Sequence, residues 1–198
     1  MPLLARREVD QLGVRYAVND VIQSELDRAP EWVHKTCFDI AGKDVPSDER
    51  GRYDLVISKM VMEHVTDAER AYKNTFDLLR EGGIFLNYHP VLYSIPFVVN
   101  WLLPEQSSRR LLRLLKPHRH ADDIPKFPAR YSHCVVSDPT LKMIRDIGFS
   151  HVNLFAFFGH VYFEKIPVIR RLDASLNNWA MRRKHYWLAS YCYALGQK

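Results

Sequence analysis

The sequence predicts an α/β fold, a doubly wound sheet with helices on both faces. Three adjoining observations predict it. Tyr53–Ser58 is a short apolar run rich in β-branched residues, as expected of a strand buried on both faces. Ala68, Ala71, Tyr72, Phe76 and Leu79 then recur at helical spacing, behind a capping box at Thr66 and Glu69. Gly82 and Gly83 supply a helix stop, and Ile84–Tyr88 restarts as a strand. The Glu63-His64-Val65 corner falls where the first strand gives way to the helix. In open α/β sheets that edge is where ligands bind.

The remaining elements follow in order. Met1-Pro2-Leu3-Leu4 opens a helical pattern that runs to Leu12 and stops at Gly13. Residues 1–89 therefore alternate helix and strand, the first half of the sheet. Residues 90–136 break that rhythm. Val91–Leu103 is apolar and interrupted by Pro96, Ser107–Lys116 is a basic amphipathic helix pattern, and His118–Pro128 is polar. An insertion of this length is usually functional. Ser137-Asp138-Pro139 starts a helix that ends at Gly148. A second, helical insertion spans 162–184. The whole of 1–198 reads as a single domain.

Composition narrows the classes. The chain has 198 residues, 47% of them hydrophobic, enough for one substantial core. Three scattered cysteines make no disulfide framework and no metal-site spacing, which points to a reducing cytoplasmic setting. No signal-peptide core and no bilayer-length apolar run is present. The net charge is +5, and the excess is local. Arg109, Arg110, Arg113, Lys116 and Arg119 crowd one segment, and Arg170, Arg171, Arg182, Arg183 and Lys184 another. Such clusters are either solvated helix faces or contacts for an anionic partner, a peripheral membrane surface among them. No module for reading nucleic acid is recognisable.

The run YDLVISKMVMEHV, followed by LLREGGIFLNY, resembles the fourth strand, helix and fifth strand of class I S-adenosylmethionine-dependent methyltransferases. Tyr16–Asp20 resembles their second strand, Cys37–Ile40 the end of the third, and Phe149–Phe157 with Tyr186–Leu195 their C-terminal antiparallel hairpin. The resemblance implies a Rossmann-like sheet with S-adenosylmethionine as cofactor. One departure stands out. The family's first strand and glycine-rich turn have no counterpart before the Met1–Leu12 helix. That strand is expected to lie before Met1, to come from a partner chain, or to be lost in a truncated relative. A truncated relative would serve as a non-catalytic binding or regulatory partner.

Carried over residue by residue, the resemblance gives Asp20 the cofactor ribose, with Asn19 as fallback. It gives Asp39 and Ile40 the adenine, and Ser58, Lys59 and Met60 the floor beneath the sulfonium. A carboxylate suits a diol because it accepts two hydrogen bonds. Helix capping and turn formation are the competing roles for these acids. His64 and His89 are the candidate general bases, since a histidine titrates near neutrality. Some relatives carry Glu-x-x-Glu-His at the corner and bind a metal. Met60 stands where the first Glu would be, so no metal is expected. Lys126, Arg130, Tyr131 and His160 are candidates for holding the acceptor. The aromatic, apolar and basic insertions suggest a small or lipid-like acceptor with an anionic group.

Overall fold

The computed structural model describes residues 4–102, 130–163 and 166–198. Helix α1 (Arg6–Leu12) opens the chain and ends on Gly13 in the left-handed conformation. Strand β1 (Ala17–Asp20), the short helix α2 (Gln23–Asp27) and β2 (His34–Cys37) follow. Then come β3 (Tyr53–Lys59), α3 (Ala68–Leu78) and β4 (Leu79–Pro90). Helix α4 (Ile95–Leu102) belongs to the first insertion. The chain ends with α5 (Asp138–Ile147), β5 (Ser150–Phe157), α6 (Pro167–Arg182) and β6 (Tyr191–Gln197). The Ser107–Lys116 helix pattern lies outside the described residues.

The strands form two pieces. β1 and β2 pair in parallel, with Asp20 opposite Cys37. The other four lie in the order β3-β4-β6-β5, with β3 parallel to β4 and both β6 pairings antiparallel. The expected C-terminal hairpin and the common sheet of Val56–Ser58 with Ile84–Tyr88 are both present. The edge of β3 remote from β4 and the edge of β1 remote from β2 carry no strand among the described residues. Local bonds tie the small piece to α3. The Asn74 amide donates to the carbonyls of Ile40 and Gly42 at 2.8 and 2.9 Å.

The core sits between α3, α5 and one face of the four-stranded sheet. Phe85 meets Tyr72 and Phe149 edge-on, at 5.4 and 4.6 Å between ring centroids. Ile144, Val152 and Ala194 close around them. Ser137 caps α5 by accepting from the Thr140 amide, as the sequence predicts.

Three expectations change. The cap of α3 is Asp67, which accepts from the Arg70 amide at 2.9 Å, and not Thr66. Both are cap-forming residues, and the one nearer the helix takes the position. Gly82 and Gly83 do not stop α3, which ends at Leu78; they lie inside β4. A Cβ on Gly83 would come within 2.9 Å of the Tyr53 and Arg80 carbonyls, so the glycine permits close strand approach there. Pro96 is no interruption either. It is the second residue of α4, where its missing amide hydrogen costs nothing.

Candidate active site at the strand ends

The carboxyl ends of β1 and β2 sit side by side. Asp20 ends β1, and its Oδ1 accepts from the Ile22 amide at 2.9 Å. Asp39 lies two residues past β2, and its Oδ1 accepts from the Ala41 amide at 2.8 Å. Each acid thus braces its own turn with one oxygen, while its Oδ2 accepts no hydrogen bond among the described residues. Asn19 is spoken for. Its side chain bonds the Phe38 carbonyl and amide and the Thr36 hydroxyl, sewing the two strand ends together. Ile40 packs against the core, so the turn carrying Asp39 is anchored.

The end of β3 carries the next group of candidates. The Ser58 hydroxyl donates to Asn87 Oδ1 at 2.7 Å, on the α3 side of the sheet. Lys59 is exposed. Met60 adopts φ 58°, a left-handed conformation that L side chains rarely take, and its amide donates to the Tyr88 carbonyl at 2.8 Å. Strain of this kind costs of order 1–3 kcal/mol and clusters at functional sites.

Glu63 is the residue the sequence left without a role. It is buried, and its Oε2 has no partner among the described residues. Burial pushes its carboxyl up to about 7. Its Oε1 lies 3.7 Å from His64 Nε2. Its backbone carbonyl accepts from the amides of Arg130 and Tyr131 at 2.7 and 3.0 Å, which pins the end of the first insertion to the corner. Only its place in the Glu63-His64-Val65 corner could have singled it out, because burial is not written in local sequence. Aromatic rings surround this point. Phe97 lies 6.4, 5.7 and 5.6 Å from Tyr131, Tyr162 and Tyr191, and Tyr88 stacks on Tyr191 at 5.2 Å.

The structure separates the other candidates. His64 is partly exposed beside Glu63. His89 is buried on the face that α3 covers, with Nδ1 3.0 Å from the Pro90 carbonyl, and burial lowers its proton affinity. It stands away from the open strand edge where a base was expected. His160 is enclosed, with Nε2 3.2 Å from Asp173 Oδ1 and Nδ1 accepting from the Tyr162 amide at 3.3 Å. That pattern makes it a strut to α6. Arg130 is exposed next to the corner, and Lys126 lies outside the described residues. A groove of about 580 Å3 between α3 and α5, lined by Glu69, Lys73, His133 and Asp146, lies on the helical layer rather than at the strand ends.

The candidate residues are thus two acids at neighbouring parallel strand ends and, at the end of β3, a strained corner with a buried carboxyl. Comparison with known proteins bears on the family and the fold. The methyltransferase-domain family matches residues 4–87. A methyltransferase from Thermotoga maritima, a possible histamine N-methyltransferase, superposes with a TM-score of 0.57 at 14% identity, over 97% of this chain and 76% of that one. A methyltransferase from Archaeoglobus fulgidus gives 0.54 at 13%, over 97% and 80%. Phosphoethanolamine N-methyltransferase 2 of Haemonchus contortus, solved with S-adenosyl-L-methionine, gives 0.53 at 12%, over 98% and 45%. No curated protein matches the sequence. Residues 4–87 thus match the methyltransferase-domain family, and nearly the whole chain shares the fold of proteins whose cofactor is S-adenosylmethionine.

The residues present fit the adenosine half of that cofactor. Asp20 and Asp39 each hold one carboxylate oxygen available at adjacent strand ends, and Ile40 supplies an anchored aliphatic neighbour. No glycine-rich turn for the amino-acid half occurs among the described residues.

Proposed function

We propose that this protein supports S-adenosylmethionine-dependent methyl transfer to a small or lipid-like acceptor that carries an anionic group. What supports the reading is the pair of acids at the ends of the parallel strands β1 and β2, together with the buried carboxyl of Glu63, poised near neutrality, at the corner that follows β3. The cofactor, when bound, supplies an activated methyl group. Asp20 would hold the ribose, and Asp39 with Ile40 the adenine. Ser58, Lys59 and Met60 would form the floor, with the strained Met60 backbone fixing its height.

The Glu63–His64 pair is the proton acceptor in this reading. A carboxyl held near 7 is half ionised at neutral pH and can take a proton from an acceptor heteroatom. His64, partly exposed beside it, can pass that proton to water. His89, with its lowered proton affinity, would serve to keep the strand end in place rather than to exchange protons. Tyr88, Tyr131, Tyr162 and Tyr191 offer an aromatic wall, and Arg130 a cation for the anionic group.

The test is calorimetric titration of S-adenosylhomocysteine. We expect weak binding, since only the adenosine half is met by described residues. Asp20→Ala should weaken it by about 1.5–3 kcal/mol, the cost of lost hydrogen bonds to a charged group. An unchanged dissociation constant would remove Asp20 from the ribose. One observation favours a second reading, a non-catalytic methyltransferase-like binding partner: among the described residues, no strand pairs with the outer edges of β1 and β3. Absence of any binding heat by the folded chain would favour it.

A further inference from the structure

We propose that α6 is an interfacial helix that docks this protein on anionic lipid bilayers. The helix is amphipathic in an inverted sense. Val168, Leu172 and Trp179 recur at positions four and eleven from the first, so they share one face, and they are 70%, 67% and 48% exposed. The inward face holds Ala180 and Asp173 instead. Asp173 accepts from Asn177 at 2.9 Å and meets His160 at 3.2 Å. These buried polar contacts fix the rotation of the helix, so its apolar stripe is held outward.

Charge identifies the occupant. Arg170, Arg171, Arg182, Arg183 and Lys184 are all exposed, and the sole acid of the helix is the inward Asp173. An apolar stripe framed by basic side chains matches an anionic headgroup layer over acyl chains. Exposed aromatics extend the surface. Trp179 lies 4.9 Å from His185, His185 lies 6.3 Å from Trp187, and Trp187 meets Tyr93 at 5.7 Å. Tryptophan and tyrosine favour the headgroup level of a bilayer. A second copy fits less well, since apposing two α6 helices would bring two sets of five basic residues together. Among the described residues no helix is long and apolar enough to cross a membrane, so the contact is peripheral. The inference does not depend on the acceptor, because docking requires neither cofactor nor turnover.

Co-sedimentation of the full chain tests it. The probes are phosphatidylcholine vesicles and vesicles of equimolar phosphatidylcholine and phosphatidylserine, at low and high salt. We expect binding to the anionic vesicles alone, weakened by salt. Leu172→Ser with Trp179→Ser should abolish it, while circular dichroism shows the fold intact, both residues being exposed. Arg171→Gln, Arg182→Gln and Arg183→Gln together should lower the partition coefficient on the order of 100-fold and flatten its salt dependence. Tryptophan emission should shift to the blue with anionic vesicles, and the shift should shrink in Trp179→Phe. Failure of the wild-type chain to sediment with anionic vesicles at low salt overturns the proposal. So does a dimer broken by Leu172→Ser, or binding to single-stranded RNA lost with the arginines, where vesicle binding is absent.

Discussion

The two faces of the four-stranded sheet receive the same kind of sequence and meet opposite fates. On one face Phe85, Ala194 and Val152 are buried under α3 and α5, with Val56 partly buried against them. On the other, Leu55, Ile57, Phe155 and Phe157 remain 50%, 45%, 50% and 48% exposed. The register makes this one surface: Leu55 lies opposite Ile84, Ile57 opposite Leu86, Leu86 opposite Leu195, and Tyr193 opposite Phe155. Helices that pack onto a sheet convert apolar alternation into stability; without them the same residues only line a surface. A broad apolar face of this kind on a folded protein normally marks a binding surface. It adjoins the edge of β3 that carries no strand among the described residues.

The largest effect is expected where the covered face is densest. Phe85→Ala removes a fully buried ring that touches Tyr72 and Phe149. It should cost about 3–5 kcal/mol by urea denaturation. A loss below about 1 kcal/mol would mean that the α3 side does not hold the sheet together.

The next test asks how far dryness reaches toward the open face. Tyr88 stands on that face, and Glu63 is among the groups that raise its phenol. The Glu63 carboxyl rises from 4.5 to about 7 through burial. Between those values the folded protein keeps a proton that the unfolded chain has released. Stability is therefore full below pH 4.5 and falls as pH rises toward 7, by about 3 kcal/mol. Glu63→Gln should abolish this fall. His89 works the other way: burial lowers its affinity, so stability rises as pH climbs toward 6.5. The variant should thus show a net rise with pH where the wild type shows a fall. Parallel profiles for the two proteins would mean that water reaches the corner.

What the sequence disclosed follows from the range of the interactions involved. The Tyr53–Tyr88 unit was legible through its periodicity, although its cap and stop lay elsewhere, and α5 through its caps, as Ser137, Pro139 and Gly148 illustrate; both signals are local. Asp20 and Asp39 were legible as strand-end acids for the same reason. The exposure of Leu55 and Ile57 was not, because an apolar run does not say whether a second layer arrives. Glu63 escaped because burial is set by tertiary contacts, such as the bond its carbonyl accepts from the amide of Tyr131, 68 residues away in sequence. His160 was read as an acceptor ligand, and its tie to Asp173 on α6 was equally invisible in local pattern.

A third test probes the tightness of the covered face from the opposite direction. A Cβ on Gly196 would fall 2.5 Å from Phe85 Cε1, so Gly196→Ala must displace that ring. Overpacking should cost about 1–3 kcal/mol. Combined with Phe85→Leu, which vacates the ring's edge, the penalty should shrink, a coupling that a double-mutant cycle would read. Strict additivity would indicate that strand distortion, rather than the ring, carries the cost.

The smallest effect is expected on the open face, and it is the one that would break the comparison. Phe155→Thr trades a half-exposed ring for a β-branched residue that suits a strand equally well. Its losses are the cross-strand contact with Tyr193 and a share of apolar burial. Pairs of this kind are worth roughly 0.2–1 kcal/mol. The midpoint of urea unfolding should therefore move little, several-fold less than for Phe85→Ala. Removing an exposed ring should at the same time reduce binding of a hydrophobic dye to the folded protein. Should Phe155→Thr instead cost as much as a core substitution, the face must be covered in solution. The cover would then be another copy or another chain, and the dependence of the midpoint on protein concentration would tell which: self-association makes it rise with concentration, whereas a separate partner leaves it fixed until that partner is added.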